Sequence, residues 1–334
     1  MNGSNEYILE IKNLTVNYDT EYGLVRAVNG INIVMREQEA LGLVGETGAG
    51  KTTTALASLR MVPEAVGKVE GQILVGGKNI MEMSDRELEN MRGKNISMIF
   101  QDPMTALNPV LTIGRQIAES IQIHEHVDKK TAMERAKDML EIVGIHRDRA
   151  QDYPHQLSGG MKQRVVIAIA LACHTQILIA DEPTTALDVT IQAQVLELIK
   201  EYRNKYKTAM LMITHDLGIV AEVCDKVAVM YAGNIVEYGT LDEVFNHTLH
   251  PYTEGLFSSL PNIKNRTKRL NPIPGAMPDP SKLPEGCVFA PRCAYATQAC
   301  FQTDQENRFI TDTHMVRCSR YQESGFKINR GNTK

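Results

Sequence analysis

Hydrophobic positions along the chain follow two periods. Tyr7-Ile8-Leu9-Glu10-Ile11 and Leu14-Thr15-Val16 are short β-rich runs. Residues 25–34 alternate apolar and polar positions through Val25, Ala27, Ile31 and Ile33, and a period of two predicts a half-buried strand. Ala40-Leu41-Gly42-Leu43-Val44 is continuously apolar, as a strand covered on both faces of a parallel sheet is. A glycine-rich turn follows, then a helical stretch over 52–61. Helical periodicity runs through 103–156 and is clearest over 129–143, with apolar residues at Ala132, Ala136, Met139, Leu140 and Val143. Further on the pattern predicts helices over 161–173, 189–206 and 217–224, and strands over 176–180, 209–213, 226–231 and 235–238. Strands alternating with helices imply a parallel α/β sheet. Past about residue 250 the pattern stops, and prolines crowd 261–291, which predicts an irregular segment. The expected division is therefore 1–250 and an extension over 251–334.

The 334 residues fit about two domains at roughly 150 residues each. Thirty-six Lys and Arg against 40 Asp and Glu give a net charge of −4, which argues against a nucleic-acid partner. The longest uncharged apolar run, 165–173, has nine residues, whereas a membrane-spanning helix needs about 20. The start, MNGSNEYILEIK, is too polar for a secretory signal. A cytoplasmic protein is expected.

Two motifs carry chemistry. Gly45-Glu46-Thr47-Gly48-Ala49-Gly50-Lys51-Thr52 fits G-x-x-x-x-G-K-[ST] and lies between a predicted strand and a predicted helix, the context that gives this motif meaning. Its glycines let backbone N–H groups close on phosphate oxygens at a helix N-terminus. Lys51 supplies a point charge to the terminal phosphates, and the Thr52 hydroxyl can ligate Mg²⁺. Ile177-Leu178-Ile179-Ala180-Asp181-Glu182 places two acids at the carboxyl end of a buried strand, where ligands of such sheets bind. Asp181 suits Mg²⁺, held through water, and Glu182 suits polarisation of an attacking water. Together they specify a nucleotide triphosphatase without giving its task.

Leu157-Ser158-Gly159-Gly160-Met161-Lys162-Gln163-Arg164 resembles the signature of ATP-binding cassette proteins, and it precedes Asp181 as that family requires. The family's other elements follow: Gln101 in Phe100-Gln101-Asp102-Pro103, Ala186-Leu187-Asp188, and His215 in Ile213-Thr214-His215-Asp216. The resemblance spans roughly 7–240. It implies a parallel RecA-like core, an antiparallel β subdomain and a helical subdomain over about 103–156. Gln101-Asp102-Pro103-Met104-Thr105-Ala106-Leu107-Asn108-Pro109, residues 180–193, His250-Pro251-Tyr252-Thr253 and Gly286-Cys287-Val288-Phe289-Ala290-Pro291-Arg292-Cys293 resemble the dipeptide, oligopeptide and nickel permease group. Met161 where Gln is common resembles the D-type ATPase of that group rather than the F-type.

The resemblance implies roles. Gly45, Glu46, Thr47, Gly48, Ala49, Gly50, Lys51, Thr52 and Thr53 would bind phosphates. Tyr18 would stack on adenine, with Tyr22 as competitor. Thr52, Gln101 and Asp181 would serve Mg²⁺, with Gln101 sensing the γ-phosphate. Glu182 would be the base, and His215 would contact the γ-phosphate and water. Ser158, Gly159 and Gly160 would act on ATP held by the other subunit. The implied partners are a second, F-type ATPase subunit, two transmembrane permease subunits and, indirectly, an extracytoplasmic peptide-binding protein. The implied place is the cytoplasmic face of the membrane. Nickel or another small solute remains open beside peptide, and a soluble cassette ATPase acting on nucleic acid or ribosomes is the reading from another class.

Four of the six cysteines, Cys287, Cys293, Cys300 and Cys318, fall in the last 48 residues with spacing C-x5-C-x6-C-x17-C. Disulfides are not expected in a reducing cytosol. Four thiolates form the ligand set of a [4Fe-4S] cluster, which is expected here. Zinc is the alternative, although its sites usually show closer pairs. Far along the chain from Lys51 and Glu182, such a group would be structural or regulatory. Cys173 and Cys224 lie in apolar helical stretches, as buried free thiols do.

Overall fold

The computed structural model describes residues 6–184, 187–259, 272–323 and 325–328. Ala186, named above within Ala186-Leu187-Asp188, lies outside the described residues. Twelve strands follow in chain order among those described: β1 Leu9–Thr20, β2 Gly23–Met35, β3 Ala40–Val44, β4 Gly67–Val75, β5 Lys78–Asn79, β6 Ile96–Ile99, β7 Ile177–Asp181, β8 Ala209–Thr214, β9 Lys226–Tyr231, β10 Asn234–Thr240, β11 Arg308–Phe309 and β12 Met315–Val316.

They form two sheets. The smaller is antiparallel in the order β2-β1-β4-β5, and the larger runs β11-β12-β10-β9-β3-β8-β7-β6. Within the larger sheet β9, β3, β8, β7 and β6 are parallel, and β10 turns back antiparallel on β9. β3, β7 and β8 are buried along their whole length, which is why their sequences are unbroken apolar runs rather than alternating ones. The two short runs expected at the start are one strand: the register shifts between Ile11 and Leu14, and Asn13 adopts φ 49°. A bulge of that kind breaks the period of two without ending the strand.

One core lies between the antiparallel sheet and the near face of the large sheet, where Leu9, Ile11, Ile33, Leu43, Ile73 and Ile179 meet. A second core packs the opposite face against the helices. The expected helical segment is present as Ile113–Glu125 and Lys129–Ile142. Asp128 caps the second helix, accepting from the amides of Lys130 and Thr131, and Ala132, Ala136, Met139 and Leu140 are its buried stripe.

Residues 272–289 hold no helix or strand, as the prolines predict, but regular elements flank the proline-rich segment. Pro251–Ser258 is helical, and β12 pairs with β10 through Glu237↔Val316 and Tyr238↔Met315, carrying β11 at the sheet edge. The His314 ring nitrogen Nε2 and Glu237 Oε1, both buried, lie 2.9 Å apart at this junction. Two-residue strands are too short to leave a periodic signal, so the pairing was hidden in the sequence. No helix among the described residues is long and apolar enough to cross a membrane.

Candidate functional site

Four adjacent parallel strands, β3, β8, β7 and β6, end along one edge of the sheet. The phosphate loop leaves β3, His215 follows β8, Asp181 and Glu182 close β7, and Gln101 follows β6. Residues from 45 to 215 thus meet at the carboxyl edge, where this sheet type binds ligands. The cleft there encloses about 440 Å³. Tyr18, Thr47, Gly48, Gly50, Lys51, Thr52, Thr53, Gln101, Glu182 and His215 line it. Tyr22 stands apart, 93% exposed. Ser158, Gly159 and Gly160 do not line this cleft; Ser158 caps the helix Gly159–Leu171 by accepting from the Met161 amide.

The loop is held open by its backbone. Gly50 has φ 104°, and a Cβ there would lie 2.4 Å from the Ala27 carbonyl oxygen, so any larger residue would both strain the turn and collide with β2. The helix Lys51–Ser58 starts immediately behind it. Lys51 is buried, and its Nζ donates to the carbonyls of Gly45 (2.7 Å) and Glu46 (3.0 Å). Burial lowers its pKa, against the attraction of Glu182, Asp181 and Glu46.

Asp181 is 1% exposed. Burial raises its pKa; the Thr52 hydroxyl opposes this, Glu182 adds to it, and Lys51 offsets it. Neither carboxylate oxygen has a hydrogen-bond partner in normal geometry among the described residues. A buried carboxylate in that state is costly unless a cation or donors meet it, so this donor set fits Mg²⁺, with Thr52 beside it.

Glu182 sits in the left-handed region at φ 45°, a strain of order 1–3 kcal/mol that clusters at functional positions. Its amide donates to the Ile213 carbonyl at 2.8 Å, fixing the turn to β8. Gln101 Nε2 donates to Glu182 Oε2 at 3.1 Å, and His215 Nδ1 lies 3.2 Å from Oε1. The carboxylate is thereby oriented by residues from both neighbouring strands. Gln163 was missed by the sequence reading: buried in the signature helix, it donates from Nε2 to the Pro183 carbonyl at 3.0 Å, next to Glu182.

The comparisons with known proteins decide the family. A sequence profile described as "ABC transporter" matches residues 28–185. The chain is 48% identical over 314 residues, 93% of its length and 88% of the relative's, to the "Oligopeptide transport ATP-binding protein OppD" of Bacillus subtilis (strain 168). The chain belongs to the ABC transporter ATPases. A second profile, "Oligopeptide/dipeptide transporter, C-terminal region", matches residues 236–300 of this ABC ATPase. The "Dipeptide transport ATP-binding protein DppD" of the same organism is 46% identical over 94% of each chain. Among solved structures, the dimeric ATP-binding cassette MJ0796 in a post-hydrolysis state bound to ADP and Pi superposes with a TM-score of 0.64 at 25% identity, covering 70% of this chain and 98% of that one. The cassette fold and ATP hydrolysis follow from family membership.

The four late cysteines converge. Cys318 is pushed up to about 12 by burial first and, further down, by the thiols of Cys287, Cys293 and Cys300, while the Arg320 amide opposes it. Cys293 is pushed up to about 11, again chiefly by burial. The Cys287 amide donates to the Cys300 carbonyl at 2.7 Å. Among the described residues, no group of three or more His, Cys, Asp or Glu side chains is arranged to hold a metal ion, so the expected [4Fe-4S] or zinc site finds no support in the ligand geometry. Nor is this region remote from the nucleotide cleft: Arg292, next to Cys293, reaches Glu46 of the phosphate loop. Distance along the chain was a poor guide to distance in space.

Proposed function

We propose that this ATPase energises import of dipeptides or oligopeptides through a membrane permease. The observation that carries the substrate class is the match of residues 236–300 to the oligopeptide/dipeptide C-terminal region, joined to relatives named for peptide transport. In this reading the cassette comprises residues 1–250 and the extension 251–334. The cassette works with a second, F-type ATPase subunit, two transmembrane permease subunits and an extracytoplasmic peptide-binding protein, peripheral on the cytoplasmic face of the membrane. The segment over 103–156 meets the permease; Met104 and Val110, exposed apolar side chains just past Gln101, suit that contact.

Lys51 and the amides of the loop from Gly45 through Ala49 to Thr53 hold the phosphates, and Tyr18 stacks on the base. Mg²⁺, held by Thr52, Asp181 and Gln101, neutralises phosphate charge when bound. Water attacks the γ-phosphorus, the bond to the ADP oxygen breaks, and Glu182 takes the water's proton. Gln101 and His215 hold the two oxygens of Glu182 in position. Ser158, Gly159 and Gly160 serve ATP on the partner cassette, since a helix N-terminus built of small residues suits an anion.

We further propose that Cys287, Cys293, Cys300 and Cys318 hold a thiolate-bound group, [4Fe-4S] before Zn²⁺. The support is the donor set in the sequence: four cysteines within one short, small-cored extension. Anaerobically purified protein is expected to contain iron and acid-labile sulfide, lost on Cys→Ser at any of the four; protein with neither iron nor zinc contradicts this. Uptake in membrane vesicles carrying the assembled complex tests the transport reading. ATP-dependent uptake of labelled peptide, absent with Lys51→Ala, is expected. Uptake of Ni²⁺ in its place would favour the small-solute reading.

A further inference from the structure

Glu46 puts a carboxylate into a loop built to receive phosphate. Its own side chain should repel that ligand, because like charges at close range disfavour one another. The extension supplies the counter-charge. Arg292 Nη1 lies 3.1 and 3.0 Å from the two Glu46 carboxylate oxygens, across 246 residues of chain. The arginine side chain is 6% exposed. Further bonds hold it: Nε donates to the Pro274 carbonyl at 2.9 Å, Nη2 to the Ile273 carbonyl at 3.4 Å, and Nη1 also reaches the Tyr231 hydroxyl at 3.3 Å. The planar guanidinium fork lets one side chain meet these partners at once.

The loop is tied to the extension at further points. The Glu46 amide donates to the hydroxyl of buried Tyr252 at 2.9 Å. Pro280 lines the nucleotide cleft, and its carbonyl accepts from the Arg26 amide at 3.0 Å. Met277 Cε would stand 2.9 Å from a Cβ on Gly48. The extension therefore forms a wall of the cleft.

We propose that Arg292 is a positioning residue for nucleotide binding: delivered by the extension, its guanidinium neutralises Glu46 and holds the phosphate loop in its anion-accepting state. The inference rests on the reading that ATP binds at this loop. The bland alternative is a contact that only anchors the extension. The two differ in what removing the carboxylate does. If repulsion is the cost of losing Arg292, deleting the Glu46 charge relieves it; if anchoring is the cost, it does not.

The test is calorimetric titration of Mg-ATP into the full-length chain. Wild type must bind and Lys51→Ala must not; failure there overturns the nucleotide reading itself. Given that, Arg292→Met is expected to weaken binding by about tenfold, the equivalent of about 1.4 kcal/mol. Arg292→Met with Glu46→Gln is expected to recover most of the loss. Wild-type affinity in Arg292→Met, or a double variant as weak as the single one, overturns the proposal. If Arg292→Met does not fold, Arg292→Lys and Arg292→Gln carry the test: the charged variant is expected to stay within about threefold of wild type and the neutral one to fall further. Equal affinities for those two overturn it as well.

Discussion

Lys51 and Asp181 are opposite charges buried at the base of one cleft, and burial penalises the charged form of each. Such a pair costs stability in the free chain and is retained where a ligand uses it. Lys51→Ala is expected to weaken ATP binding by at least about a hundredfold in a titration. Asp181→Asn is expected to stabilise the nucleotide-free chain by about 1 kcal/mol in denaturant unfolding, while Mg²⁺-dependent hydrolysis falls; a destabilised Asn variant would show that the carboxylate has partners in the free chain. These residues were legible in the sequence because the chemistry is local: eight consecutive positions of the phosphate loop, and two acids at one strand end. Arg292 was not legible as part of the site. Its partner Glu46 lies 246 positions away, and no spacing rule links a proline-rich tail to a glycine-rich loop.

At the scale of elements, the helix Pro251–Ser258 joins the tail to the loop. His250 caps it: Nδ1 accepts from the Tyr252 amide at 3.1 Å, so that nitrogen carries no proton. The side chain is buried, and burial pushes its pKa down to about 3 from an ordinary 6.5. A His held neutral by the fold contributes stability that is present above its unfolded pKa and lost as pH falls from 6.5 toward 3. His250→Asn keeps a capping acceptor and removes the titration. Urea unfolding between pH 7.5 and 5 is expected to show a pH slope lower by up to about 1.4 kcal/mol per unit in the variant. An unchanged slope would place the titration elsewhere. Periodicity resolved the long elements, such as Lys129–Ile142 with its buried Ala132, Ala136 and Leu140. It failed at β1, which a bulge at Asn13 splits in pattern only, and at β11 and β12, where two residues cannot show a period.

At the scale of the molecule, the chain brings the glycine-rich loop, Gln101, Glu182 and His215 to one cleft and leaves Ser158, Gly159 and Gly160 outside it. The parallel α/β core was legible because strands alternate with helices, whereas the antiparallel and helical subdomains were implied only by the resemblance to ATP-binding cassette proteins. The antiparallel attachment of the extension was not legible, because edge pairing depends on contacts such as His314 with Glu237 that span 77 positions. A half-site of this kind is expected to give little ATPase activity in the isolated chain and cooperative activity once the second cassette and the permease are present; robust, cooperative hydrolysis by the isolated chain would contradict that division of labour. The most direct test of the whole account is steady-state ATP hydrolysis by the Glu182→Gln variant in the assembled complex, with bound ATP measured on the same sample. The account predicts ATP retained and hydrolysis reduced by at least about a hundredfold, the scale of a lost general base, whereas hydrolysis within about twofold of wild type would contradict it.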